Sequence, residues 1–65
     1  MSNSFPTRDQ LKPGMNVAII EKQNQATGEE SLGTVDRILT SSGSHPHGIK
    51  VMLKDGRVGR VKRIT

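Results

Sequence analysis

Apolar residues in this chain recur in short runs, most of them alternating, separated by polar, glycine-rich stretches. Val17 and Ile19 share one face of Met15-Asn16-Val17-Ala18-Ile19-Ile20, which predicts a first strand entered from the Pro13-Gly14 turn, with Ile20 at the rim. A second strand is expected over 32–40. There Val35 and Ile38 lie three apart, so both face inward only across a bulge or bend. Ile49, Val51 and Leu53 fall on one face of a third strand, with Lys50, Met52 and Lys54 on the other. Asp55-Gly56 is a two-residue hairpin signal. After it, Val58, Val61 and Ile64 are again three apart, which predicts a kink near Gly59-Arg60 into a short 3₁₀ turn before a last strand.

Between these runs, residues 21–31 read as a long hairpin loop containing Thr27-Gly28, and 41–48 as a second loop. Residues 1–12 are polar apart from Phe5 and Leu11 and are expected to form a partly disordered arm. The remainder, 13–65, is expected to be a single all-β domain: an SH3-like barrel of about five short curved strands. An OB-like barrel generally needs a longer chain and a helix.

Size narrows the choice further. A chain of 65 residues has room for one domain, and domains of this size bury only about 60% of their unfolded surface. Val and Ile dominate the apolar positions, and β-branched side chains suit a pleated sheet better than a helix. With no cysteine, neither a disulfide nor a thiolate metal site supplements the small core. No apolar run is long enough to span a membrane, and the first residues lack the pattern of a secretory signal, so a cytoplasmic protein without a membrane partner is expected.

Charge is the most uneven property of the chain. Residues 50–65 hold six bases, Lys50, Lys54, Arg57, Arg60, Lys62 and Arg63, against one acid, Asp55, whereas residues 1–49 hold four bases and five acids. Such a concentration is the electrostatic footprint of a surface that meets phosphate backbones, where neutralised phosphates release counterions whatever the base sequence. The alternative is a set of ordinary solvated charges that keep an edge strand from aggregating. One Phe, and neither Trp nor Tyr, leaves no platform for stacking successive bases, so recognition by charge and shape is expected.

The loop His45-Pro46-His47-Gly48 contains the two histidines of the chain. Two imidazoles two apart can share a metal, but a site needs three or four ligands, and Asp36 and Asp55 belong to other elements. No metal and no cofactor are therefore expected. Pro46 stiffens the loop and Gly48 permits a close backbone approach, so His45, His47 and Gly48 are either structural or shape one end of a ligand site. Ser41, Ser42 and Ser44 have no evident general base with an orienting partner, and so small a domain is expected to have little room for a pocket. An enzyme is not expected.

Two resemblances enter here. The spacing Pro13-Gly14-Met15-x-Val17-x-Ile19, followed by Gly33-x-Val35-x-x-Ile38, resembles the KOW type of SH3-like barrel of ribosomal and transcription-elongation proteins. The longer run Ile38-Leu39-Thr40-Ser41-Ser42-x-x-His45-Pro46-His47-Gly48-Ile49-Lys50-Val51-x-Leu53-x-Asp55-Gly56-x-Val58-Gly59-Arg60-Val61, with Gln25-x-Thr27-Gly28 upstream, resembles the YwbE-like family of small, mainly bacterial, uncharacterised proteins over residues 8–65. That resemblance implies kinship rather than a function. The family tends to carry a basic residue where Met52 stands, and often one where this chain has Glu29-Glu30, which argues against phosphate contacts from the long loop.

The expectation from sequence is thus a nucleic-acid-binding module that contacts RNA or ribonucleoprotein phosphates through Arg57, Arg60, Lys62 and Arg63, with Lys50 and Lys54 extending the track. A module for an acidic protein partner, or a self-associating structural protein, is the alternative. A monomer or weak homodimer is expected.

Overall fold

A computed structural model describes residues 5–65. Its strands are β1 (Asn16–Glu21), β2 (Ser31–Ile38), β3 (Lys50–Leu53) and β4 (Val58–Ile64), with single 3₁₀ turns at Arg8–Gln10 and Lys22–Asn24. All neighbouring strands are antiparallel, and β4 returns to pair with β1, so the order β1-β2-β3-β4 closes into a barrel. The fold is all-β, as the alternation predicts, but with four strands rather than five. Every strand has two neighbours, and Lys50 and Arg60 pair with each other inside the sheet, whereas Lys62 and Arg63 lie on the stretch of β4 that pairs with β1 alone.

The interior is built from Leu11, Val17, Ile19, Val35, Ile49, Val51, Leu53 and Val61, with Ile38 packed against them. Each buried aliphatic side chain of this size contributes about 1.5–3 kcal/mol, which makes these eight residues the main source of stability in so short a chain. Ile49, Val51 and Leu53 face inward together as their spacing predicts. The bulge required by Val35 and Ile38 falls at Asp36: Val35 pairs with Leu53 and Arg37 with Met52, leaving Asp36 without an opposite residue.

The predicted kink in β4 is corrected. The strand runs without a 3₁₀ turn from Val58 to Ile64, and its inward positions are Gly59 and Val61. Gly59 lacks the side chain that would mark it as interior. A Cβ there would lie 2.7 Å from the Ile20 carbonyl oxygen and 2.9 Å from Ile19 Cδ1, so that space is already filled from β1. The three-residue step from Val61 to Ile64 is absorbed by a bulge at Lys62, since Ala18 pairs with Arg63 while Ile19 pairs with Val61.

The hairpin between β3 and β4 also differs from the two-residue form. Gly56 N–H bonds the Leu53 carbonyl at 2.9 Å and Leu53 N–H bonds the Arg57 carbonyl at 2.8 Å, with Gly56 at φ +93°. This is the three-residue connection, in which the glycine supplies the left-handed residue that closes the turn.

Of the segment expected as an arm, residues 1–4 lie outside the described residues. Residues 5–12 are tied to the barrel. Leu11 is buried in the core, Arg8 N–H bonds the Gly43 carbonyl at 2.9 Å, and Arg8 Nε bonds the Thr40 carbonyl at 3.0 Å. This stretch therefore closes one end of the interior and fixes the start of the 41–48 loop.

Candidate nucleic-acid interface

The histidine loop is held from both sides. Within it, Gly48 N–H bonds the His45 carbonyl at 3.0 Å, and His47 N–H bonds His45 Nδ1 at 3.1 Å. Accepting at Nδ1 places the proton of the neutral His45 ring on Nε2. From β4, Arg60 donates to the Gly48 carbonyl at 3.0 Å and Lys62 Nζ to the His47 carbonyl at 2.7 Å. Lys62 Nζ also stands 4.1 Å from the centre of the Phe5 ring, a cation–π distance. Gly48, at φ +98°, sits so close to β4 that a Cβ would lie 2.5 Å from the Val61 carbonyl oxygen.

These contacts set the protonation of the loop. Desolvation holds the His45 pKa below its ordinary value, with smaller pushes from the positive Arg60 and from His47. Desolvation likewise lowers Lys62, aided by Arg60 nearby. The two imidazoles are 5.7 Å apart between ring centres and tilted by 46°. Among the described residues, no group of three or more His, Cys, Asp or Glu side chains is placed to hold a metal ion.

Antiparallel register aligns Ile20 of β1 and Lys50 of β3 on either side of Arg60 in β4. Over this row lies an open groove with two lobes of about 440 and 430 Å³. One lobe is lined by Ile20, Gln25, His47, Arg60 and Lys62. The other shares Ile20, Gln25 and Arg60, and adds Lys22, Lys50, Val58 and Gly59. The expectation that the domain has little room for a pocket is thereby corrected, although the lobes open to solvent rather than enclosing a ligand. Among the described residues no carboxylate lines either lobe, and four cations face the groove with aliphatic side chains between them.

The six bases nominated from sequence do not form one patch. Lys50, Arg60 and Lys62 meet at the groove. Arg57 instead bonds Asp55 through Nε at 2.7 Å, donates to the Leu32 carbonyl at 3.1 Å and lies 3.9 Å from Glu21. In return, hydrogen bonding by the Arg57 backbone N–H, reinforced by its guanidinium, holds the Asp55 carboxyl below its ordinary pKa. Arg63 pairs with Glu30 at 2.9 Å, and Lys54 is exposed on the β3–β4 turn. His47 reaches one lobe, while His45 and Gly48 act through loop structure and are not among the lining residues.

Lys22 and Gln25 complete the groove and were not nominated from sequence. The signal for Lys22 was its position two residues beyond Ile20, on the outward face of an extended β1. Gln25 gave no such signal, because only the 3₁₀ turn at Lys22–Asn24 folds it back over β1.

Among the described residues, no helix is long and apolar enough to cross a membrane. No solved structure matches the chain. The family described as "Uncharacterized conserved protein (DUF2196)" matches residues 4–64. The chain is also 51% identical over 58 residues to "Uncharacterized protein YwbE" of Bacillus subtilis (strain 168), with 89% of each chain covered. On this match along nearly its whole length, the chain belongs to the YwbE-like family of small conserved proteins.

Proposed function

We propose that this protein is a nucleic-acid-binding module on an SH3-like barrel, which contacts the phosphate backbone of RNA or a ribonucleoprotein in the cytoplasm and has no catalytic role. The observation that carries this is the acid-free groove in which Lys22, Lys50, Arg60 and Lys62 converge from three elements. Arg60 and Lys62 each spend one N–H on a loop carbonyl, and their remaining donors are available to an anion. The aliphatic side chains of Ile20 and Val58 give the sugar portion of a strand an apolar floor. Arg57, Lys54 and Arg63 belong to the periphery in this reading.

Titration of the labelled protein with an RNA hairpin, the matching DNA duplex and an acidic peptide, followed by backbone amide NMR, tests it. At about 50 mM salt the RNA should shift amides at 20–25, at Lys50 and at 59–62, and the effect should fade at about 200 mM as counterion release predicts. Equal shifts with the acidic peptide would instead favour a protein partner for the same groove. An absence of RNA-induced shifts would refute the proposal.

A further inference from the structure

The two lobes of the groove meet over Ile20, Gln25 and Arg60. Beyond this shared centre, Lys62 provides the cation at one end, and Lys22 and Lys50 provide those at the other. Two cationic ends thus flank a centre that holds an aliphatic side chain, a carboxamide and the Arg60 guanidinium, an arrangement that suits two phosphates with a sugar between them. Among the described residues, Gln25 supplies the sole side-chain amide lining either lobe. It is solvent-exposed, and its backbone N–H bonds the Lys22 carbonyl at 3.3 Å, which fastens it to the 3₁₀ turn. Among the described residues, its carboxamide makes no hydrogen bond within the protein.

Resting on the nucleic-acid reading above, we propose that Gln25 distinguishes ribose from deoxyribose. Two consecutive phosphates of one RNA strand occupy the two lobes, and the intervening ribose rests on Ile20. The Gln25 carboxamide then bonds its 2′-hydroxyl. The chemistry is complementary, since a carboxamide both donates and accepts and a 2′-hydroxyl does the same, while DNA offers nothing at that position. Arg60, shared by both lobes, contacts phosphate in either nucleic acid and carries no such preference.

Fluorescence anisotropy with a single-stranded RNA oligonucleotide and its DNA counterpart of the same sequence tests this assignment. Wild type should prefer the RNA by about fivefold, the scale of one added hydrogen bond. Gln25→Ala should weaken RNA binding to the level of DNA and leave DNA affinity and the salt dependence of both unchanged. Arg60→Ala should weaken both and lower the salt slope by about one. If wild type shows no preference, or Gln25→Ala keeps the preference, the role of Gln25 is overturned while the groove reading stands. If wild type binds neither oligonucleotide, the groove reading itself fails. An amide spectrum of Gln25→Ala matching wild type away from the substitution establishes that the variant is folded.

Discussion

The Arg60 guanidinium bonds the Gly48 carbonyl at 3.0 Å, and an added Cβ on Gly48 would come within 2.5 Å of the Val61 backbone oxygen one residue along the same strand. The histidine loop is therefore seated directly on β4, and its position and that of the groove arginine are mutually dependent. Gly48→Ala meets both a positive φ and a backbone atom that cannot rotate away. It should destabilise the fold by about 3 kcal/mol, the upper range for an enforced left-handed residue. Urea unfolding checks this, and a loss below about 1 kcal/mol would show that the loop lifts off β4 without penalty.

Gly33 and Leu53 should behave as a coupled pair. A Cβ on Gly33 would fall 2.4 Å from Leu53 Cδ1, so Gly33→Ala forces a core leucine out of place. Leu53→Ala alone should lose about 2–5 kcal/mol through the cavity it leaves. The double variant should lose less than the sum, because the new methyl enters the vacated space. Additive losses in a denaturation cycle would contradict this contact.

Pairing with neighbouring carboxylates separates the bases after Gly48 into two groups. Arg57→Ala and Arg63→Ala remove cations already paired with Asp55 and Glu30, and should leave RNA affinity within about twofold. Lys50→Ala and Lys62→Ala should each lower the salt slope by about one. Anisotropy at several salt concentrations makes the comparison, and a larger effect from Arg57 than from Lys62 would move the interface to the β3–β4 hairpin.

His45 should make stability fall in mild acid. Its folded pKa lies below the ordinary imidazole value, chiefly through desolvation and then through Arg60 and His47. The unfolded chain therefore takes up a proton that the folded loop resists. The contribution is fully present above the unfolded value and declines as pH drops through it. His45→Asn keeps an acceptor for the His47 N–H without the titration, and should flatten the unfolding midpoint between pH 8 and pH 5.5 relative to wild type. An unchanged profile would remove His45 as its source.

What the sequence disclosed follows from the range of each interaction. The interior face of β3 was legible because Ile49, Val51 and Leu53 alternate without interruption. That of β4 was not, because Gly59 occupies an inward position with no side chain and Lys62 is a bulge, so Val58, Val61 and Ile64 imitate a kinked period. The surplus charge after Gly48 was evident, but its partners were not. Glu30 comes beside Arg63, and Glu21 beside Arg57, only when β1, β2 and β4 are assembled. Lys50, Arg60 and Lys62, outward on β3 and β4, line the groove, whereas Gln25 depends on a local turn that composition alone does not reveal.

Pairing of β4 with β1 closes the ring, and the sheet backbone left unpaired on one side is confined to the short stretches where β2 and β4 pair with β1 alone. A peptide partner that adds a strand of its own, a common route by which small β domains capture extended segments, meets only these short stretches rather than a whole strand edge. The side chains and loop backbone on the outside of the barrel are therefore the larger recognition surface, and the groove gathers the most cations of it. The same closure shortens the template a second copy finds for strand addition, which shields a short chain rich in valine and isoleucine from fibrous assembly for as long as the ring stays shut.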